Sequence, residues 1–180
     1  MNIAEKRIPQ DGRFTFKGAD QEVDLRVSSL PTTWGEKIVM RILKKTGGVP
    51  DLSELGLRGQ GLKTLEEAIL RPHGIILICG PTGSGKTTTL YSIISKINTT
   101  KVNIITLEDP IEYKIQGVNQ VQVNPAAGLT FASGLKSFLR QDPNIILVGE
   151  IRDQETAELG GLAADHALYG VSTLHTNDAS

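Results

Sequence analysis

Apolar residues come in short blocks along this chain, and the spacing of the blocks changes near residue 50. Before that point, GRFTFKG and EVDLRVSSL read as two short strands joined around ADQ, a hairpin pattern. The stretch PTTWGEKIVMRILKK follows. Ile38, Val39, Ile42 and Leu43 make an apolar stripe with Lys37, Arg41, Lys44 and Lys45 opposite, and Thr33 and Glu36 have capping-box spacing. This predicts a helix. TGGVPD then breaks the pattern with two glycines and a proline and predicts a linker at about 46–52.

After the linker, helical and extended patterns alternate. GLKTLEEAIL, GKTTTLYSIISKI, TFASGLKSFLRQ and QETAELGGLAADHA have helical spacing. GIILICG, VNIITLED, NIILVGE and YGVSTLH are apolar runs of strand length, and VNQVQVN alternates like an edge strand. Apolar strands alternating with helices imply an α/β fold, a parallel sheet covered on both faces. NIILVGE sharpens a question. Ile145, Ile146, Leu147 and Val148 predict a strand buried on both faces, yet it stops on the acid Glu150. A buried carboxylate is costly unless a cation meets it.

One motif supplies a cation. GPTGSGKT, residues 80–87, fits G-x-x-x-x-G-K-[ST] between a strand and a helix. Glycines 80, 83 and 85 permit backbone angles that turn successive N–H groups inward, and the helix start adds its positive dipole end. Gly80, Pro81, Thr82, Gly83, Ser84, Gly85, Lys86, Thr87 and Thr88 are the expected phosphate-binding residues. Lys86 would reach the β- and γ-phosphates, and Thr87 would offer a hydroxyl to Mg²⁺. Ligands of open parallel sheets bind beyond the carboxyl ends of the strands. Three more strands end there in polar groups: Glu108, Asp109 and Glu112; Glu150; and His175 with Thr176, Asn177 and Asp178.

Composition narrows the class. The 180 residues carry 22% charged side chains and a formal net charge of −1, with no basic excess to suggest nucleic acid. The single cysteine, Cys79, allows no internal disulfide; lying within GIILICG, it is expected to be buried. No apolar run approaches the ~20 residues of a membrane span, and no signal peptide is evident. A cytoplasmic location is expected.

The chain resembles the secretion ATPase superfamily of type II secretion and type IV pilus systems. GPTGSGKTTTLY resembles its Walker A box, TLEDPIEY its Asp box, ILVGEIRD its Walker B box and STLHTNDA its His box. RIPQDGR and DLRVSSLPTTWGEKIVMRIL are similar to the segment before the core, and GLTFASGLKSFLRQDPN to the approach to Walker B. The likeness is nearest to the general secretion E-type and pilus-extension branch. It implies a RecA-like P-loop NTPase core over 53–180, preceded by part of a small α+β N2 domain over 1–45. It also implies ATP and Mg²⁺ as ligands, assembly as a homo-hexamer, and action on an inner-membrane platform protein, peripheral to that membrane and without insertion into it. By resemblance, Glu150 supports Mg²⁺ through water, Glu108 is the general base, His175 senses the γ-phosphate, and Arg13 and Arg26 reach phosphates. Glu150, Glu108, His175, Arg13 and Arg26 are thus the expected catalytic group.

The pattern departs from the family at one place. In GGLAADHALYGVSTLH, Leu162 stands where the family has arginine, Ala167 and Leu168 replace Gly-His, and Gly160 and Gly161 fall mid-helix. The chain also ends just past the His box. These features predict a truncated product that binds nucleotide better than it turns it over. Two alternatives are a nucleotide-binding module impaired in hydrolysis and a conjugation-type or DNA-translocating relative.

Overall fold

A computed structural model describes residues 1–18, 22–44, 48–151, 153–166 and 169–175. The chain divides into two compact units, Met1–Gly48 and Val49–Ser180.

In the first unit, strands β1 (Gln10–Lys17), β2 (Glu22–Thr32) and β3 (Gly35–Lys44) form an antiparallel sheet in that order. The expected hairpin is β1–β2, with Phe14 opposite Leu25. The helix expected from residue 33 onward is instead β3, whose Ile42 lies opposite Leu25. Thr32 is the cause at its start. Its Oγ1 donates to the Gly35 carbonyl at 2.7 Å and accepts from the Trp34 N–H at 3.3 Å, while Gly35 adopts φ 122°. That is a chain reversal, not a helix cap. The run IVMRIL is too short to separate a period of 3.6 from one of 2, and its β-branched Ile38, Val39 and Ile42 suit a pleated surface.

The second unit contains α1 (Gln60–Ile69), β4 (Ile75–Gly80), α2 (Lys86–Ile97), β5 (Ile104–Glu108), β6 (Asn119–Gln122), α3 (Phe131–Phe138), β7 (Ile145–Val148), α4 (Gln154–His166) and β8 (Tyr169–His175). Its five strands are parallel, in the order β4-β8-β7-β5-β6. The expected α/β parallel sheet is present, with VNQVQVN at its edge as β6.

Alternation along the central strands builds two cores. Ile104, Ile145 and Leu147 pack on one face with Leu90, Ile93, Ile94 and Ile97 of α2. Ile105, Leu107, Ile146 and Val148 pack on the other with Leu135 and Phe138 of α3 and Leu159 of α4. All four residues of β7 are buried, as its apolar run predicts. Asn103 and Asn144 set the β5–β7 register: the Asn103 N–H donates to Asn144 Oδ1 at 2.7 Å, and the Asn144 N–H donates to the Asn103 carbonyl at 2.9 Å. The α3 helix approaches β5 closely at Gly134, where a Cβ would stand 2.7 Å from Leu107 Cδ2.

Cys79 is exposed, contrary to expectation. It lies on β4, at the end of the strand order, where Ile76 and Ile78 pack against the α2 core while Ile75 and Leu77 are 48% and 49% exposed. The apolar run marks a strand but not which of its faces is covered.

The departures fall on and after α4. Leu162 is 51% exposed. Ala167 and Leu168 lie outside the described residues. Gly160 and Gly161 are helical, and a Cβ on either would meet nothing within 4 Å. Alanine at each position is therefore expected to stabilise the chain by up to about 1 kcal/mol, from helix propensity. Thermal denaturation of Gly160→Ala and Gly161→Ala measures this. A fall in melting temperature would show that these glycines answer a constraint other than space.

Candidate functional site

The site is built on the turn from β4 into α2. Gly83 and Gly85 adopt φ 81° and 90°, where a side chain would be strained, and Gly85 is the residue before the helix. Gly80, Pro81 and Ser84 shape the loop. Lys86 opens α2 and is buried; its Nζ donates to the carbonyls of Gly80 at 2.6 Å and Pro81 at 2.9 Å. The loop therefore grips its own lysine from inside.

A cleft of 410 Å³ opens above this turn. Thr82, Gly83, Gly85, Lys86, Thr87 and Thr88 supply one wall. Glu108, Asp109, Pro110 and Glu112, from the end of β5 and the loop after it, supply another. Leu90 and Tyr91 of α2, Leu147 of β7, Gly149 and Glu150 after it, and Thr173 of β8 complete it. The carboxyl ends of the strands thus meet at the loop. Gly149 permits this, since a Cβ there would stand 3.2 Å from the Leu107 carbonyl oxygen and 3.4 Å from Glu108 Cα. Thr173 Oγ1 donates to the Gly149 carbonyl and joins β8 to the turn before Glu150.

Glu108 is in a setting that the sequence does not reveal. It is 5% exposed, and its carboxylate is engaged by three donors. Thr106 Oγ1 donates to Oε1 at 2.6 Å, Gln120 Nε2 donates to Oε1 at 3.2 Å, and the Tyr91 hydroxyl donates to Oε2. These bonds occupy most of the acceptor capacity of Glu108, the residue expected to be the base. Burial, and then the neighbouring Glu108 carboxylate, push the Tyr91 hydroxyl pKa upward, so the phenol keeps its proton. Glu112 is half-buried and lines the cleft.

The other expected residues divide. Thr87 and Glu150 line the same cleft and offer a hydroxyl and a carboxylate, the hard oxygen donors that suit Mg²⁺ alongside water and phosphate. His175 ends β8, and its backbone pairs with Gly80; its side chain lies outside the described residues, as do Thr176, Asn177, Asp178 and Arg152. Asp153 Oδ1 accepts the Thr156 N–H at 2.7 Å as the cap of α4, which holds its carboxyl below the usual range. Arg13 and Arg26 are cross-strand neighbours in the first unit, and Arg13 pairs with Asp24 at 3.0 Å.

Sequence reasoning missed Tyr91, Thr106, Gln120 and Thr173. Tyr91 sits in the buried stripe of α2 and reads as core. The available signal was its hydroxyl, because a buried tyrosine needs a polar partner.

Comparison with known proteins bears on the family. Residues 1–180 match the family described as "Type II/IV secretion system protein". The type IV pilus assembly ATPase PilB of Thermus thermophilus is 54% identical over 180 residues, covering 100% of this chain and 20% of that protein. The type II secretion system protein E of Pseudomonas aeruginosa is 51% identical over 179 residues, covering 99% of this chain and 36% of that protein. The chain thus spans well under half the length of these relatives. Among solved structures, the pilus retraction motor PilT with bound ADP superposes with a TM-score of 0.80 at 38% identity, covering 95% of this chain and 48% of that one. The ATPase DotB of Legionella pneumophila gives 0.76 at 30% identity, covering 96% and 49%. Among the described residues no helix is long and apolar enough to cross a membrane. Matched over its whole length and about half identical to these relatives, the chain belongs to the Type II/IV secretion system protein family.

Proposed function

We propose that this chain binds ATP with Mg²⁺ and hydrolyses it, as part of a homo-hexameric cytoplasmic motor that drives protein secretion or pilus assembly through an inner-membrane platform protein. One observation carries the reading. A buried lysine in a glycine loop and carboxylates from two strand ends line a single cleft. Phosphoryl transfer asks for this combination of positioned positive charge and a carboxylate that holds water. The names of the relatives, secretion protein E and pilus assembly ATPase, supply the machine.

Lys86 places its ammonium at the phosphates. Mg²⁺, held by Thr87 and through water by Glu150, would neutralise charge on the phosphate oxygens. Glu112 is assigned the attacking water, because Glu108 is already engaged by Tyr91, Thr106 and Gln120. Water attacks the γ-phosphorus, the bond to the ADP oxygen breaks, and a Glu112 carboxylate oxygen accepts the water's proton.

The test is phosphate release from ATP by the full chain, with and without Mg²⁺, alongside titration with a fluorescent ATP analogue. Saturable binding and Mg²⁺-dependent release support the reading. Absence of nucleotide binding would end it.

A further inference from the structure

Tyr91 joins the phosphate-loop helix to the segment that bears Glu112. It lies on α2, five positions after Lys86, and is 4% exposed. A phenol has one donor and two acceptor sites, and here all three are matched. The hydroxyl donates to Glu108 Oε2. Its oxygen accepts the backbone N–H of Glu112 at 3.1 Å and that of Tyr113 at 3.4 Å. The Tyr91 and Tyr113 rings meet edge to face, 5.3 Å apart.

The far side of the same segment is held as well. Gln120 of the edge strand β6 donates to the Tyr113 carbonyl at 2.8 Å, accepts the Ile115 N–H at 2.8 Å, and donates to Glu108 Oε1. Glu108 is thus common to both clamps. By taking the phenol proton, it leaves the lone pairs of Tyr91 directed at the two backbone N–H groups. Residues 109–115 contain no helix or strand, so bonds such as these tie the backbone of Glu112 to the phosphate-loop helix and to β6.

We infer that Tyr91 is a positioning residue for hydrolysis: with Glu108 as its anchor and Gln120 as the opposing clamp, it holds the Glu112 backbone at a set distance from Lys86. This rests on the assignment of the attacking water to Glu112. Effects of misplacement are steep in positioned reactions, so loss of the clamp should lower turnover while leaving nucleotide affinity nearly intact.

A double-mutant cycle in the full chain tests it, using Tyr91→Phe and Glu112→Gln. Tyr91→Phe keeps the ring contact and removes the hydroxyl. It should lower single-turnover phosphate release by roughly 10- to 100-fold, with affinity for a fluorescent ATP analogue within about threefold. In the Glu112→Gln background the same change should lower the rate less than about twofold, because Tyr91 acts through Glu112. Equal losses in both backgrounds would overturn the inference while leaving the Glu112 assignment intact. Full turnover in Glu112→Gln alone would instead overturn that assignment.

Hydrogen exchange supplies a readout independent of turnover. The Glu112 and Tyr113 amides should exchange about tenfold faster in Tyr91→Phe, with β5 and α2 unchanged; unchanged protection at both amides counts against the clamp. If Tyr91→Phe does not fold, Gln120→Ala, in the half-exposed clamp, takes its place. Normal turnover with normal Glu112 and Tyr113 exchange in that variant would likewise overturn the inference.

Discussion

Replacing Lys86 with alanine is expected to lower ATP turnover by about 10³-fold, as for loss of a charged group that meets developing charge in a water-poor site. Affinity for the nucleotide should fall as well, by roughly 10- to 100-fold, since a charge-assisted hydrogen bond contributes about 1.5–3 kcal/mol. The reason lies in the loop. Lys86 Nζ bonds to the carbonyls of Gly80 and Pro81, so the loop backbone fixes the ammonium beside the cleft. The fold should survive, because β4 and α2 are held by the core through Ile76, Ile78, Leu90, Ile93 and Ile94. Circular dichroism checks the fold, and nucleotide titration with phosphate release checks the function. Lys86→Arg should not restore turnover, because the planar guanidinium cannot make the compact contact of an ammonium. Unchanged affinity in Lys86→Ala would remove the phosphate loop from the binding site.

The loop was legible in the sequence because its chemistry is local. Glycines, lysine and threonine at fixed spacing between a strand and a helix leave few other readings. The strands of the core were legible for a similar reason: IILV is too short for a helix bounded as it is, and too apolar for a surface. Errors arose where distant neighbours decide. IVMRIL suits helix and strand alike, and pairing with β2 selects the strand. Cys79 sits in an apolar run, yet its burial depends on which face of β4 is covered. The setting of Glu108 also depends on distant neighbours. Its place at the end of an apolar strand is visible in the sequence, but Tyr91 and Gln120, its donors, lie 17 residues before it and 12 after it. A periodic pattern counts Tyr91 as core and Gln120 as an edge position, and it has no means of joining them.

That network separates Glu108 from Glu112 by experiment. Glu112→Gln keeps the side-chain shape, removes the charge and is expected to lower turnover by about 10²- to 10³-fold, the usual contribution of a general base. Nucleotide affinity should stay near that of the parent, and the melting temperature should fall less than in Glu108→Gln, because Glu112 is half-buried and its backbone N–H, not its carboxylate, bonds to Tyr91. Glu108→Gln should behave differently. The introduced amide turns an acceptor into a donor among Tyr91, Thr106 and Gln120, all of which now donate to that carboxylate. At least one buried donor loses its acceptor, at about 1–3 kcal/mol, and the melting temperature should fall by several degrees for a chain of this size. Its turnover should fall only about tenfold, through displacement of the Glu112 segment. Thermal denaturation and phosphate release measured on the same preparations distinguish the two carboxylates. A Glu108→Gln protein that melts like the parent and does not turn over ATP, beside an active Glu112→Gln protein, would return the base to Glu108.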